Sequence, residues 1–138
     1  GGTLTLTRTA ISGNSAADGA EVNNAGDSSV TAASFNLFSY RGLTNGQAFE
    51  NFTPGPTDIT ATSNGNDPTT LANILNTTLA NNGGPTRTHA LVAGSPAIDM
   101  VTDGTCPPPL RDQRGVRRPQ DGNHDGAAIC DTGSFERR

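Results

Sequence analysis

The chain has no tryptophan, one tyrosine and one methionine, and aromatic residues make up only 4% of it. A core built on large rings is therefore excluded, and so is the stacking platform that single-stranded nucleic acid needs. Charge is scarce as well: 16% of the residues are charged, and the formal net charge is -4. With a sequence pI near 4.9, no broad basic face for phosphates exists, and nucleic-acid binding is set aside. No apolar run approaches the length of a membrane span, so no spanning helix is expected. Hydrophobic residues reach only 32% over 138 residues. Disorder would pair that low figure with high net charge, which is missing here. What fills the chain is Gly, Thr, Ser, Asn and Ala, in short stretches parted by turn residues. That composition suits an all-β fold with a narrow interior and many turns.

The first 40 residues carry strand patterning. Thr3 to Ile11 alternates polar and apolar, with Leu4, Leu6 and Ile11 as the largest apolar residues. Ser12-Gly13-Asn14 ends it as a turn. Asp18 to Val22 is a second strand candidate, Asn23 to Asp27 a second turn, and Val30 to Phe35 repeats the opening pattern. Leu6 with Val30, Ala10 with Ser34 and Ile11 with Phe35 all share one offset, which sets an expectation of about 24 residues per coil of a parallel β-helix. Ile11 would then stack on Phe35. An antiparallel sandwich produces the same alternation and is the alternative. After Asn36-Leu37-Phe38 the register fades, and Phe49, Phe52 and Ile59 read as an irregular excursion around Pro54-Gly55-Pro56. Leu71, Ile74 and Leu75 lie at helical spacing behind Pro68 and mark a short helix or 3-10 turn, with another strand as the alternative.

Cys106 and Cys130 enclose a turn-rich segment with three consecutive prolines. In a secreted protein such a pair is a disulfide, worth about 3 kcal/mol by chain entropy; two unrelated thiols are the other reading. The chain opens on Gly-Gly-Thr-Leu and is read as a piece of a longer secreted protein. Asp121-Gly-Asn-His-Asp-Gly126 sets oxygen ligands at alternate positions, as in the first half of a calcium loop. Asp121, Asn123 and Asp125 would bind Ca2+ with the carbonyl of Ala127; Thr132 stands at the position of the closing glutamate, and Asp131 lies one place early. A solvated turn cluster is the competing reading. Asn51 and Asn76 open N-glycosylation patterns. No zinc set or Ser-His-Asp spacing stands out. Asp18, Glu21 and Asp27 form the one candidate acidic cluster for catalysis, with no paired base.

Residues 79–91 (Leu-Ala-Asn-Asn-Gly-Gly-Pro-Thr-Arg-Thr-His-Ala-Leu), Gly94 to Asp99, Asp112 to Gly115 with Arg118-Pro119, and Cys130-Asp131 with Gly133 and Phe135-Glu136 stand in a specific order. Together they resemble the choice-of-anchor Q domain, the C-terminal region of bacterial secreted and surface right-handed parallel β-helix proteins. The tight match covers roughly residues 60 to 136. The resemblance implies last regular rungs with an excursion over 1–60 and a family-specific rung with an irregular, disulfide-containing cap over 61–138. His89, Asp99, Asp112, Arg114 and Arg118 are expected to hold that cap together, with Arg114 tying backbone carbonyls. The family supplies no catalytic set. The expected function is a non-catalytic structural or adhesion module at the end of a longer β-helix protein, secreted or on a bacterial surface. Its expected partners are upstream rungs of the same precursor, a second chain at an open rung edge, and a carbohydrate or cell-surface ligand. A polysaccharide lyase or hydrolase fragment and a self-assembling filament subunit are the alternatives.

Overall fold

The computed structural model describes residues 1–106 and 108–138. They form two compact units, Gly1–Leu71 and Ala72–Arg138.

The first unit holds seven short strands. They are β1 (Thr3–Thr7), β2 (Ala10–Ile11), β3 (Val22–Asn23), β4 (Ser29–Ser34), β5 (Leu37–Phe38), β6 (Phe49–Glu50) and β7 (Ile59–Thr60), with helix α1 (Asn45–Ala48) before β6. All pairing among them is parallel, in three separate sheets ordered β1-β4, β2-β5-β7 and β3-β6. The expected right-handed parallel β-helix is corrected here. Among the described residues the sheets have two or three strands each, and none closes or coils into a solenoid. The expected repeat fails too. A solenoid needs a constant step, whereas Thr5 meets Thr31 at a separation of 26, Thr9 meets Asn36 at 27, and Asn36 meets Asp58 at 22. Leu6 lies beside Ala32 and not Val30, and Ile11 beside Phe38 and not Phe35.

The physical reason is local. The ladder slips between Leu6 and Thr7, and Arg8 and Phe35 take left-handed backbone angles, φ 51° and 53°. Such a corner resets which face the next residues present, so counting like residues through it gives a false period. The excursion after Phe38 is likewise ordered: Phe49 begins β6 beside Val22, and Ile59 begins β7 beside Leu37.

The core of this unit is small. Val22, Phe38, Ala48 and Phe49 are buried, with Leu6, Ile11, Val30, Ala32, Leu43 and Phe52 packed against them. Phe38 meets Phe49 edge-on at 5.9 Å and Phe52 at 5.3 Å. A side-chain ladder closes the corner above. Asn36 accepts from the Thr9 amide and donates to the Leu6 carbonyl, and Asp58 accepts from the Asn36 amide and from Gly55. Buried Asn and Asp are tolerated here because backbone groups satisfy them. α1 starts with a capping box in which the Gln47 side chain accepts from the Thr44 amide at 2.9 Å.

The second unit has little regular structure. Helix α2 (Leu71–Ile74) leads into it, and its pairings are single antiparallel bridges, Leu75 with Leu91, Ala80 with Thr88, Val101 with Cys130, Arg111 with Arg117, and Gln120 with Ile129. Cys106 and Cys130 form a disulfide with their Cα atoms 5.5 Å apart.

Candidate functional site

Asp99, Asp112, Arg114, Arg118, Asp131 and Glu136 of the second unit converge on one largely buried network. It is assembled from three segments with no strand or helix to hold them, so side chains do the work that ladders do elsewhere.

Asp112 begins it. Its Oδ1 accepts from the amides of Arg114 and Val116, at 2.8 and 2.9 Å. Its Oδ2 accepts from Arg114 Nε at 2.8 Å, Arg114 Nη2 at 2.6 Å and the Glu136 amide at 2.9 Å. The turn Asp112-Gln113-Arg114-Gly115 folds around its own carboxylate, with Gly115 at φ 87°. Burial pushes the Asp112 carboxyl up, but the Glu136 amide and the Arg114 guanidinium pull it further down, below the ordinary range. Arg114 also donates to the Glu136 carbonyl and lies 3.5 Å over the Phe135 ring.

Arg118 lies at the far side. It donates to the carbonyls of Asp131 at 2.9 Å and Gly133 at 2.5 Å, and its Nη1 is 3.4 Å from Glu136 Oε2. Its side chain is 3% exposed and that of Glu136 is fully buried. Glu136 accepts from the amides of Gln120 and Asp131. Asp131, also fully buried, accepts from the amides of Asp99 and Arg137. Burial, with the negative charge of Asp131 next, pushes Glu136 up to about 7. Burial likewise pushes Asp131 up to about 6, against its two amide partners. Asp99 stands at φ 52° and receives the amides of Gly122 and Asn123.

His89 stands apart. It is exposed, and its Nδ1 lies 2.8 Å from the Asn76 carbonyl, a contact that fits a proton on Nδ1. It shares no partner with the other four residues expected to hold the cap. Glu136 and the backbone of Gln120 are the members the sequence did not single out. Glu136 closes the family-like block at the chain's end, and nothing local distinguishes it from a surface glutamate.

The calcium-like loop is built from turns. Asp121 accepts from the amides of Asp125 and Gly126, Asn123 from the amide of Asp125, and Asp125 from the amide of Ala127. The Asn123 amide nitrogen donates to Asp125 Oδ2 at 3.1 Å, so a donor hydrogen points at an oxygen that a cation would need. Asp131 is drawn away to Asp99 and Arg137 and joins none of them. Asp121, Asn123 and Asp125 with the Ala127 carbonyl offer up to about six oxygens, the lower end of the roughly six to eight that Ca2+ takes. Among the described residues no group of three or more His, Cys, Asp and Glu is arranged to hold a metal ion.

In the first unit Asp18 and Asp27 are exposed, and Glu21 accepts from the Gly13 amide and Asn14 Nδ2 at 3.0 and 2.6 Å. Burial raises the Glu21 carboxyl above its ordinary value. These contacts tie Glu21 to the Ser12-Gly13-Asn14 turn.

Beside the main network an open cleft of about 340 Å³ is lined by Arg111, Gln113, Arg118 and Ser134, with Pro108 and Pro109 on its rim. Among the described residues no helix is long and apolar enough to cross a membrane. No family model, curated protein or solved structure matches the chain.

Proposed function

We propose that the chain is a non-catalytic extracellular module of structural or adhesive character, akin to the choice-of-anchor Q domain in its second unit. One observation carries this reading. Asp99, Asp112, Arg114, Arg118, Asp131 and Glu136 fall in the blocks that resemble the family, and each has backbone among its hydrogen-bond partners. Catalytic acids and bases present free polar atoms to a substrate; these side chains, Asp112 and Arg118 beside the cleft included, spend theirs on the backbone of a segment with few ladders of its own. The Cys106–Cys130 bridge supports a place outside the reducing cytosol. The cleft beside Arg111 and Gln113 is the surface we assign to a carbohydrate or cell-surface ligand.

The test is incubation with a panel of polysaccharides, read by reducing-end and unsaturated-product assays and by a binding isotherm. Saturable binding without turnover is the expected result. Turnover that disappears on replacing Asp18, Glu21 or Asp27 would make the chain an enzyme and end the reading.

A further inference from the structure

We propose that the free edge of β1 is a self-pairing surface, on which two copies of the chain join β1 to β1 antiparallel about a two-fold axis at Thr5. The inference rests on the first unit alone and is independent of the function proposed above.

Among the described residues strand β1 ends its sheet, with β4 on one side only. The Gly2 carbonyl accepts from Ser29, and the Arg8 amide donates to Ser34. Successive residues of a strand turn their N–H and C=O to opposite edges. Gly2, Leu4, Leu6 and Arg8 therefore address β4, and Thr3, Thr5 and Thr7 address the free edge. The Thr7 carbonyl also takes the Thr9 hydroxyl at 3.0 Å and keeps a second lone pair.

The sequence of that edge, Thr-Leu-Thr-Leu-Thr, reads the same in both directions. Antiparallel pairing about Thr5 sets Thr3 against Thr7 of the second copy and Leu4 against Leu6 of the second copy. The threonines fall at the sites where both N–H···O bonds are exchanged, giving about six bonds over the strand pair. The leucines fall at the sites between, where side chains come closest. Leu6 already packs on the core, and Leu4 on the same face is 54% exposed. Pairing would cover it. A slip by one residue would set Leu against Thr and misplace the donors, and a slip by two would keep like against like but lose about two of the six bonds, so the axis at Thr5 is the favoured register. The strand itself carries no guard: Thr3–Thr7 contains no charge and no proline, the one neighbouring charge is Arg8 just beyond its end, and all nine basic residues of the chain are arginine. A two-fold interface of one surface with itself is the usual route to a homodimer.

Sedimentation equilibrium and amide exchange by NMR test it on the whole chain. Between about 5 µM and 1 mM the mass should rise from 14.1 kDa towards twice that, a range suited to so small an interface. The amides of Thr3, Thr5 and Thr7 should gain protection with concentration, while those of Leu4 and Leu6 are protected throughout. Thr5→Lys sets two ammonium groups opposite each other on the axis and leaves the backbone bonds to β4 intact, at the loss of the exposed Thr5–Thr31 hydroxyl contact. It should keep the monomer's circular dichroism and abolish the dimer. A monomer at the highest concentration, a dimer that survives Thr5→Lys, or Thr3, Thr5 and Thr7 amides protected in a monomer would each overturn the proposal.

Discussion

Arg118 shows how much one side chain carries in a unit without ladders. Its guanidinium is the shared donor for two carbonyls and the partner of a buried carboxylate. Removing one member of such a set leaves the others buried and unpaired, which costs about 3–5 kcal/mol. Arg118→Ala should lower unfolding free energy in urea by that amount. Arg118→Lys should recover only part, because a single ammonium cannot span the Asp131 and Gly133 carbonyls in the planar fork. If Arg118→Ala unfolds like the wild type, the network is ornamental. Asp112→Asn should cost about 3 kcal/mol by the same urea measurement, since an amide group would face backbone N–H donors where a charged oxygen now accepts. The sequence pointed to Asp112, Arg114 and Arg118 through the blocks that resemble the family. It could not show Glu136 as their partner, because the Glu136 amide meets Asp112 across 24 residues and only the folded backbone brings the two together.

At the scale of elements, strand identity was legible and register was not. Thr3 to Ile11 and Val30 to Phe35 read as strands; the first is split into β1 and β2 at Arg8, and the second forms β4 up to Ser34. The left-handed corners at Arg8 and Phe35 carry no glycine or asparagine to announce them, so they were invisible, and every inferred pairing slipped. Phe49 looked stranded among turn residues, yet it completes the aromatic cluster with Phe38 and Phe52. The loop of Asp121, Asn123 and Asp125 has one sequence signature and two physical solutions, a cation shell or a chain of Asx turns. In this structure the loop's side chains accept from backbone amides as Asx turns do, and Asp131 is engaged by Asp99 and Arg137. Metal-free protein titrated with Ca2+ to about 1 mM should therefore show less than ~1 °C change in melting temperature, the shift expected when binding is negligible. A saturable rise of several degrees would restore the cation reading. The disulfide element is a firmer case. Replacing Cys106 and Cys130 together by serine opens a loop with a sequence separation of 24, and the stability lost should be about 3 kcal/mol in urea unfolding.

The whole molecule should respond to pH in an unusual direction. Four carboxyls sit above their ordinary values because burial disfavours their charge: Glu136 at about 7, Asp131 at about 6, and Glu21 and Asp99 by direction. In the unfolded chain these groups titrate near their ordinary values, about 4. Between about pH 4 and pH 7 the folded protein therefore holds protons that the unfolded chain has lost. Stability must fall as pH rises through that window. Asp112 acts in the opposite sense. Its carboxyl is held below the ordinary value, so its contribution is present above about pH 4 and is lost as pH falls further. The two trends place the optimum near pH 4 to 5, on the acid side of the range in which proteins are usually most stable. Melting temperature measured from pH 3 to pH 9 should peak there and decline towards pH 8. Glu136→Gln cannot ionise, and it should flatten the decline between pH 5 and pH 8 whatever it does to the absolute stability. A wild-type melting temperature that is level or rises from pH 5 to pH 8 would show that the buried carboxyls ionise without penalty, and the network would then have to be far more open to water than its geometry describes.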